Sequence, residues 1–237
     1  MTLIVDSEAR ALVQHEWLRR VEAEYRSSVI TQTLTLWMTQ AAVSPDLIAE
    51  GLRIAQDEID HASLSMEVFL AAGGTETPRL DRESLVFSRT SGTLEDDILH
   101  IGLDSFCLGE TVAVPLFRAL REGCTEPVAL GALDRILKDE VRHRDFGWSL
   151  LAWMLETSPA RRALVERSLP GAFRNIRASY APAFSGNAAK LPEAAIRWGL
   201  MDASAYAESV QKAWERDWQP RFAKLGIDAE AAWRATP

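Results

Sequence analysis

The chain has 237 residues, 47% of them hydrophobic and 25% charged, and 26 basic against 34 acidic side chains give a net charge of -8. That is the composition of one folded globular domain spanning 1–237, not of a disordered or low-complexity chain. The acidic balance excludes a basic phosphate-tracking face, so nucleic acid is not an expected partner, and the two cysteines, Cys107 and Cys124, form no C-x-x-C pair that would hold zinc or a rubredoxin-type iron.

Taken in order, the N-terminus MTLIVDSEARALVQHEW meets charged residues before any apolar run long enough for a signal peptide. No later stretch approaches about 18 uninterrupted apolar residues. Neither secretion nor a membrane partner is expected, and with cysteines unpaired in sequence a reduced, cytoplasmic setting fits.

Helical periodicity dominates. Residues from Asp6 to about Gln40 carry spaced Leu, Val, Ile and Trp with no Gly or Pro, which predicts a long first helix ending near Ala42. Ser44-Pro45 supplies an N-cap with proline at the first helical position, and Gly73-Gly74 closes the run that follows, so a second long helix spans 45 to about 72. The segment GGTETPRLDRESLVFSRTSG has loop composition and is too long for a tight turn. Thr93 with Asp96 resembles a capping box, and the run it opens reaches about Leu120 before Gly123. Thr125-Glu126-Pro127 starts a fourth run to about Glu156. Two hairpins joined by one long crossover, over about 6–156, are thus predicted, in place of an up-down bundle with short links. After Ser158-Pro159 come further helices over about 159–237, with breaks at Ser185-Gly186-Asn187 and Leu191-Pro192 and a run from Asp202 to Lys224, packed outside the bundle. Strand signals are almost absent, so the expected fold class is all-α.

Two of the four histidines sit in near-copies of one pattern, Asp57-Glu58-Ile59-Asp60-His61 and Asp139-Glu140-Val141-Arg142-His143. On a helix, residues i and i+3 share a face, so Glu58 with His61 and Glu140 with His143 can each grip one side of a metal. A single Glu-x-x-His arises readily by chance. Two copies, near the middle of the second and fourth helices and each preceded four residues earlier by an isoleucine (Ile54, Ile136), point into a core, where unpartnered carboxylates would cost several kcal/mol each.

A dinuclear site in such a bundle also takes one carboxylate from each of the other two helices. In the third helix Glu110 lies among Phe106, Cys107, Val114 and Phe117. In the first, Glu16, Glu22 and Glu24 compete: Glu24 shares a face with Trp17, Val21, Ser28 and Thr31, and Glu22 with Leu18, Tyr25 and Val29. Glu24 is preferred, with Glu22 the alternative. His15 and His100 fall outside the spacing, and the tryptophans lie at helical spacings that suit core packing. Pro115, five residues after Glu110, is expected to distort the helix near that ligand.

The series Glu24, Glu58-x-x-His61, Glu110, Glu140-x-x-His143 resembles the ligand set of the ferritin-like di-iron carboxylate proteins. These include ribonucleotide reductase small subunits, acyl carrier protein desaturases, bacterial multicomponent monooxygenases, rubrerythrins and arylamine N-oxygenases. The resemblance implies a ferritin-like four-helix bundle holding two iron ions, with a manganese–iron pair as a variant. It also implies that Asp57 and Asp139 hydrogen-bond the ligand histidines of the opposite helix, fixing their tautomers. The chain departs from particular members: Ser65 stands where the reductases place a radical tyrosine, Val114 where the monooxygenases place threonine, Ile136 where arylamine N-oxygenases carry an extra histidine, and a rubredoxin module is missing. The expected function is an oxidoreductase that activates O2 to hydroxylate, N-oxygenate or desaturate a small organic molecule. It would act with a separate electron donor or reductase, with a homodimer open; the alternative is a ferroxidase or a peroxide-reducing iron protein. A cavity lined by Phe106, Val114 and Phe117 is expected beside the metals.

Overall fold

The structure is a computed structural model and describes residues 6–90, 92–158, 160–180 and 190–235; the break expected at Ser185-Gly186-Asn187 lies outside them. The first helix, α1 (Ser7–Gln40), opens on Asp6, whose carboxylate accepts the backbone N–H of Glu8 and Ala9 at 2.9 and 3.3 Å, answering two of the donors that a helix start leaves free. Its buried residues, Ala9, Val13, Trp17, Val21, Glu24, Ser28, Thr31, Thr35 and Met38, recur every three or four positions. Such spacing keeps one seam facing the neighbouring helices. The middle of the seam is polar, and its hydroxyls are answered. Thr31 and Thr35 donate to carbonyls one turn back at 2.8 and 2.7 Å, and Ser28 donates across to the Ala55 carbonyl at 3.0 Å.

α1 stops where Ala42 takes a left-handed φ of 52° and Val43 N–H returns to the Met38 carbonyl at 3.0 Å. α2 (Pro45–Ala71) starts directly after Ser44. It ends at Gly73, φ 83°, with Gly73 N–H on Leu70 and Gly74 N–H on Phe69 at 2.9 and 3.0 Å, the paired bonds that seal the last turn of a helix. The two helices lie so close that a Cβ on Gly51 would meet Thr35 Oγ1 at 2.4 Å.

The crossover over 72–93 contains one short 3-10 turn, Glu83–Leu85. Then α3 runs continuously over Leu94–Glu122, capped by the reciprocal Thr93–Asp96 pair. It comprises α-helix over Leu94–Ile101, a π-helical stretch over Gly102–Glu110 and α-helix again over Thr111–Glu122. Pro115 lies in that last segment. Its missing N–H deprives the carbonyl four residues back, on Thr111, of its usual partner. The distortion expected near Glu110 takes the form of a widened helix upstream of the proline, ending at Glu110 itself.

α4 (Pro127–Thr157) returns along α3 and also packs on α2, while α3's first turns pack on α1. The four helices therefore close a ring of two hairpins joined by the crossover. Outside it lie α5 (Arg161–Ser179), α6 (Glu193–Arg197), α7 over 203–224, widened to π geometry at Trp214–Trp218, and α8 (Glu230–Arg234). α5 packs on α3's π stretch, the start of α7 on Thr111–Glu122, and α8 on α5. Trp214 and Trp233 stack at 4.7 Å, and the buried Trp218 indole donates to the Cys107 carbonyl, inside the π stretch, at 3.0 Å. These tryptophans are core. No strand occurs among the described residues. α3 is long and apolar enough to cross a membrane by length and composition, and 56% of its apolar 18-residue window is buried in the bundle, as suits a core helix.

Gly147 sets how closely α4 meets the π stretch: a Cβ there would sit 2.6 Å from Phe106 Cβ and 2.8 Å from its carbonyl carbon. Gly147→Ala should therefore cost about 1–3 kcal/mol by forced displacement. A chain of this size should then lose roughly 2–4 °C of melting temperature per kcal/mol. Gly131→Ala, with nothing within 4 Å of the added carbon, is the control that should lose no stability. Equal melting temperatures for the two variants would contradict this close approach.

Candidate metal centre

The two D-E-[IV]-x-H copies face each other across the bundle from α2 and α4, with the His61 and His143 ring centroids 5.6 Å apart. Both imidazoles turn Nδ1 inward. His143 Nδ1 lies 3.0 Å from Glu58 Oε1 and 3.7 Å from Glu140 Oε2; His61 Nδ1 lies 3.8 Å from Glu58 Oε2, 3.8 Å from Glu140 Oε1 and 4.0 Å from Glu24 Oε2. Glu58 and Glu140 thus stand between the two histidines. Two overlapping donor groups result, Glu58, Glu110, Glu140 and His143, and Glu24, Glu58 and His61. Within each, the donor atoms lie within 4.8 Å of one another.

All six expected ligands meet here, and Glu24 is the member from α1. Glu22 points elsewhere, accepting the Arg79 N–H of the crossover at 3.0 Å. Glu16 lines the neighbouring cavity, His15 is exposed, and His100 Nε2 lies 3.3 Å from Ser168 Oγ.

The outer ring nitrogens are held crosswise. His61 Nε2 lies 3.3 Å from Asp139 Oδ2, and His143 Nε2 lies 3.3 Å from Asp57 Oδ2. A carboxylate accepts, so each Nε2–H is directed at its aspartate and each Nδ1 faces inward, the atom that could bind a cation once it holds no proton. Two arginines that motif reading passed over complete the arrangement. Arg142 hydrogen-bonds Asp57 and pairs with Glu50 at 2.9 Å, and Arg135 hydrogen-bonds Asp139 and reaches Asp57 at 3.5 Å. The signal was present in the motif's variable position, which is Asp60 in one copy and Arg142 in the other, and in Arg135, one turn before Asp139. Burial disfavours the charge on Asp57, but hydrogen bonds from His143 and Arg142 outweigh it and hold its carboxyl below the usual range.

Inside, like charge accumulates. Glu24 is pushed well above the ordinary carboxylate range by burial and then by Glu58; Glu140 likewise by burial and then by Glu110; Glu110 is raised by burial and by Glu58. Glu58 opposes the pattern. Burial raises it, yet the facing imidazoles of His143 and His61 bring it down to about 2, while Asp57 and Glu58 overcome burial to lift His143 to about 10. Both Glu58 oxygens, Glu140 Oε2 and the Nδ1 atoms of His61 and His143 are buried without a hydrogen-bond partner among the described residues. Buried orphans cost about 1–3 kcal/mol each, more when charged. Five of them converging on one point fit a pair of cations, for which carboxylate oxygen and imidazole nitrogen are suitable donors.

A cavity of about 840 Å³ reaches this cluster between α1 and α3, touching Glu24, Glu58, Glu110 and Glu140. Its walls differ from those expected. Phe117 lines it, but Phe106 and Val114 do not; Ser105, Gly109, Ala113 and Leu116 do. On the side before Glu110 the cause is the π stretch, in which bonding runs to i+5 and each turn takes more residues, so Ser105 comes round towards the face of Glu110; Val114, in the regular turns beyond it, is buried. Phe106 instead packs edge-on against Phe146 at 5.1 Å. The C-terminal third supplies the rest, including Tyr180, Leu200, Met201 and Tyr206.

Asp57→Asn and Asp139→Asn should each weaken divalent-metal affinity by about 10- to 100-fold, read by competition with a chromophoric chelator; affinities equal to wild type would remove the aspartates from any role in orienting the ligands. Glu22→Ala should bind metal as wild type does. Because Glu24, Glu110, Glu140 and His143 all hold protons more tightly than usual in the metal-free chain, metal loading should release protons. The release appears as a dependence of binding enthalpy on the ionisation enthalpy of the buffer, and no dependence would contradict the protonated cluster.

No family model, curated protein or solved structure matches this chain. The functional reading therefore stands on the doubled motif and on the geometry of its side chains.

Proposed function

We propose that the chain is a ferritin-like di-iron oxidoreductase that uses O2 to hydroxylate, N-oxygenate or desaturate a small organic molecule, with electrons from a separate donor. Glu24, Glu58, His61, Glu110, Glu140 and His143 would hold the two irons. When bound, the irons supply the redox capacity that reduces O2 and draws electrons from the substrate.

The observation that carries the reading is the cavity, large enough for a drug-sized molecule, which touches four carboxylates of the cluster and has a wall that mixes Leu, Ala, Met and Phe side chains with polar ones. A centre that only stored iron would have no use for such a chamber. Within it the chain's own groups have separable tasks. Asp57 and Asp139 hold the Nε2–H of His143 and His61, so both rings keep one tautomer and one orientation through turnover. Glu58 and Glu140, each within 3.8 Å of both Nδ1 atoms, can bridge or swing to one side. Glu110, half-buried at the cavity wall, is the carboxylate best placed to move as substrate arrives. Leu116 and Phe117 keep water from the reacting atoms.

Chain reconstituted anaerobically with ferrous ion should bind about two irons, and Glu58→Ala or Glu140→Ala should lose the pair. Oxygen uptake by the reduced protein should accelerate with substrate and stay stoichiometric with the bound irons. Rapid conversion of many ferrous ions per chain into a ferric mineral, or Glu58→Ala retaining two tightly held irons, would overturn the proposal.

A further inference from the structure

The cavity has a cationic group that the metal centre does not use. Arg20 lies one turn before Glu24 on α1, lines the cavity, and has its Cζ 4.1 Å from the Trp17 ring centroid and 5.4 Å from that of Phe117. The two rings hold the guanidinium plane in place. Its Nη1 is buried without a hydrogen-bond partner among the described residues. Glu16 and Glu24 act on it only through their charge. A guanidinium nitrogen that has lost water and gained no acceptor costs about 1–3 kcal/mol, a cost that an anion arriving through the cavity would remove. Tyr180 and Tyr206, whose rings lie 6.2 Å apart, line the same chamber, and burial holds both phenols protonated above their usual range, leaving uncharged donors in the cavity wall.

We propose that the cavity binds a small carboxylic acid with an apolar body, its carboxylate on Arg20 and its carbon skeleton against Leu12, Leu116, Phe117, Leu200 and Met201. The guanidinium fork matches a carboxylate's two oxygens. Arg19 also lines the cavity but is exposed, so Arg20, whose Nη1 is buried, answers one negative charge, whereas a phosphate dianion would stand beside Glu16, Glu24, Glu110 and Glu140 with a charge left over. Arg20 precedes Glu24 by about 6 Å along the helix axis, so substrate atoms a few bonds from the carboxylate would face the metal centre. The inference rests on the proposed function only in calling the bound acid a substrate; binding itself is tested apart from turnover.

Full-length protein, metal-free and loaded with redox-inert zinc(II), is titrated calorimetrically with 4-phenylbutyrate and octanoate and with their neutral amides. The acids should bind at least about tenfold more tightly than the amides in wild type, and Arg20→Gln should weaken acid binding by about ten- to a hundredfold while moving amide binding by less than about twofold. Arg20→Lys, keeping the charge without the fork, should fall between. Equal affinity for acids and amides in wild type, no acid binding below about 10 mM, or equal losses for both classes in Arg20→Gln would overturn the proposal. If Arg20→Gln does not melt as a folded chain, the wild-type acid-to-amide ratio and Arg20→Lys decide. Acid preference without two bound irons would sink the proposed function and leave this inference standing; two irons and oxygen uptake without acid preference would do the reverse.

Discussion

Four carboxylates and two imidazoles converge in a volume from which the bundle excludes most water, and the rest of the molecule is arranged around that concentration of like charge. Unscreened carboxylates at such separations cannot all ionise, so protons or cations must be present. Of these four carboxylates only Glu58 keeps its charge easily, because both imidazoles face it; Glu24, Glu110 and Glu140 retain protons more tightly. The cluster is therefore a poor contributor to folding in the metal-free chain, and it is a group of donors that could hold a metal ion. Stability comes from elsewhere, from the apolar ends of the α1 seam and from the aromatic packing of α5, α7 and α8 against the bundle.

The same constraint explains the two sides of the centre. On the α2 and α4 side, Asp57 and Asp139 each receive an imidazole and an arginine, and Arg135 and Arg142 keep nearly half of their side-chain surface in solvent, 47% and 41%. Their charges balance the aspartates without entering the core. The cavity lies on the other side, between α1 and α3, where each helix contributes one glutamate and no histidine. The proposed substrate would meet Glu24 and Glu110 there. The histidine-bearing helices stay clamped from behind.

Much of this was legible in the sequence, because the features concerned are local. Caps at Asp6 and Thr93, the glycine stop at Gly73 and the i, i+3 pairing of each motif depend only on neighbours a few residues away. The doubled motif gave the cluster-facing sides of α2 and α4, and the seam through Trp17, Val21, Ser28 and Thr31 was enough to prefer Glu24 over Glu22. The cavity wall was not legible. Projecting α3 at 3.6 residues per turn puts Phe106 and Val114 beside Glu110, and nothing in GLDSFCLGE announces a change of period. Pro115 marked a disturbance but not its extent or direction. Arg20 was missed for a different reason: an arginine on an amphipathic helix ordinarily reaches solvent, and only the folded chain shows Trp17 and Phe117 holding it inward.

The π stretch also ties the C-terminal helices to the centre. A widened turn leaves backbone carbonyls less well matched to donors of their own helix, and one of them, on Cys107, is met by the Trp218 indole. Trp218 sits in the second π stretch of the chain and packs near Phe173 and Trp233. Gly147 completes the fit from the other side, since only a residue without Cβ lets α4 approach the Phe106 backbone. The irregular backbone that sets the face of Glu110 is therefore held by contacts from two directions, so its geometry is a property of the whole fold and not of α3 alone. A helix free to relax to α period would bring Phe106 towards the position Ser105 now occupies, and a bulky ring there would fill the part of the cavity nearest the four glutamates. On this argument the accessory helices help keep the chamber open at the point where it meets the carboxylate cluster.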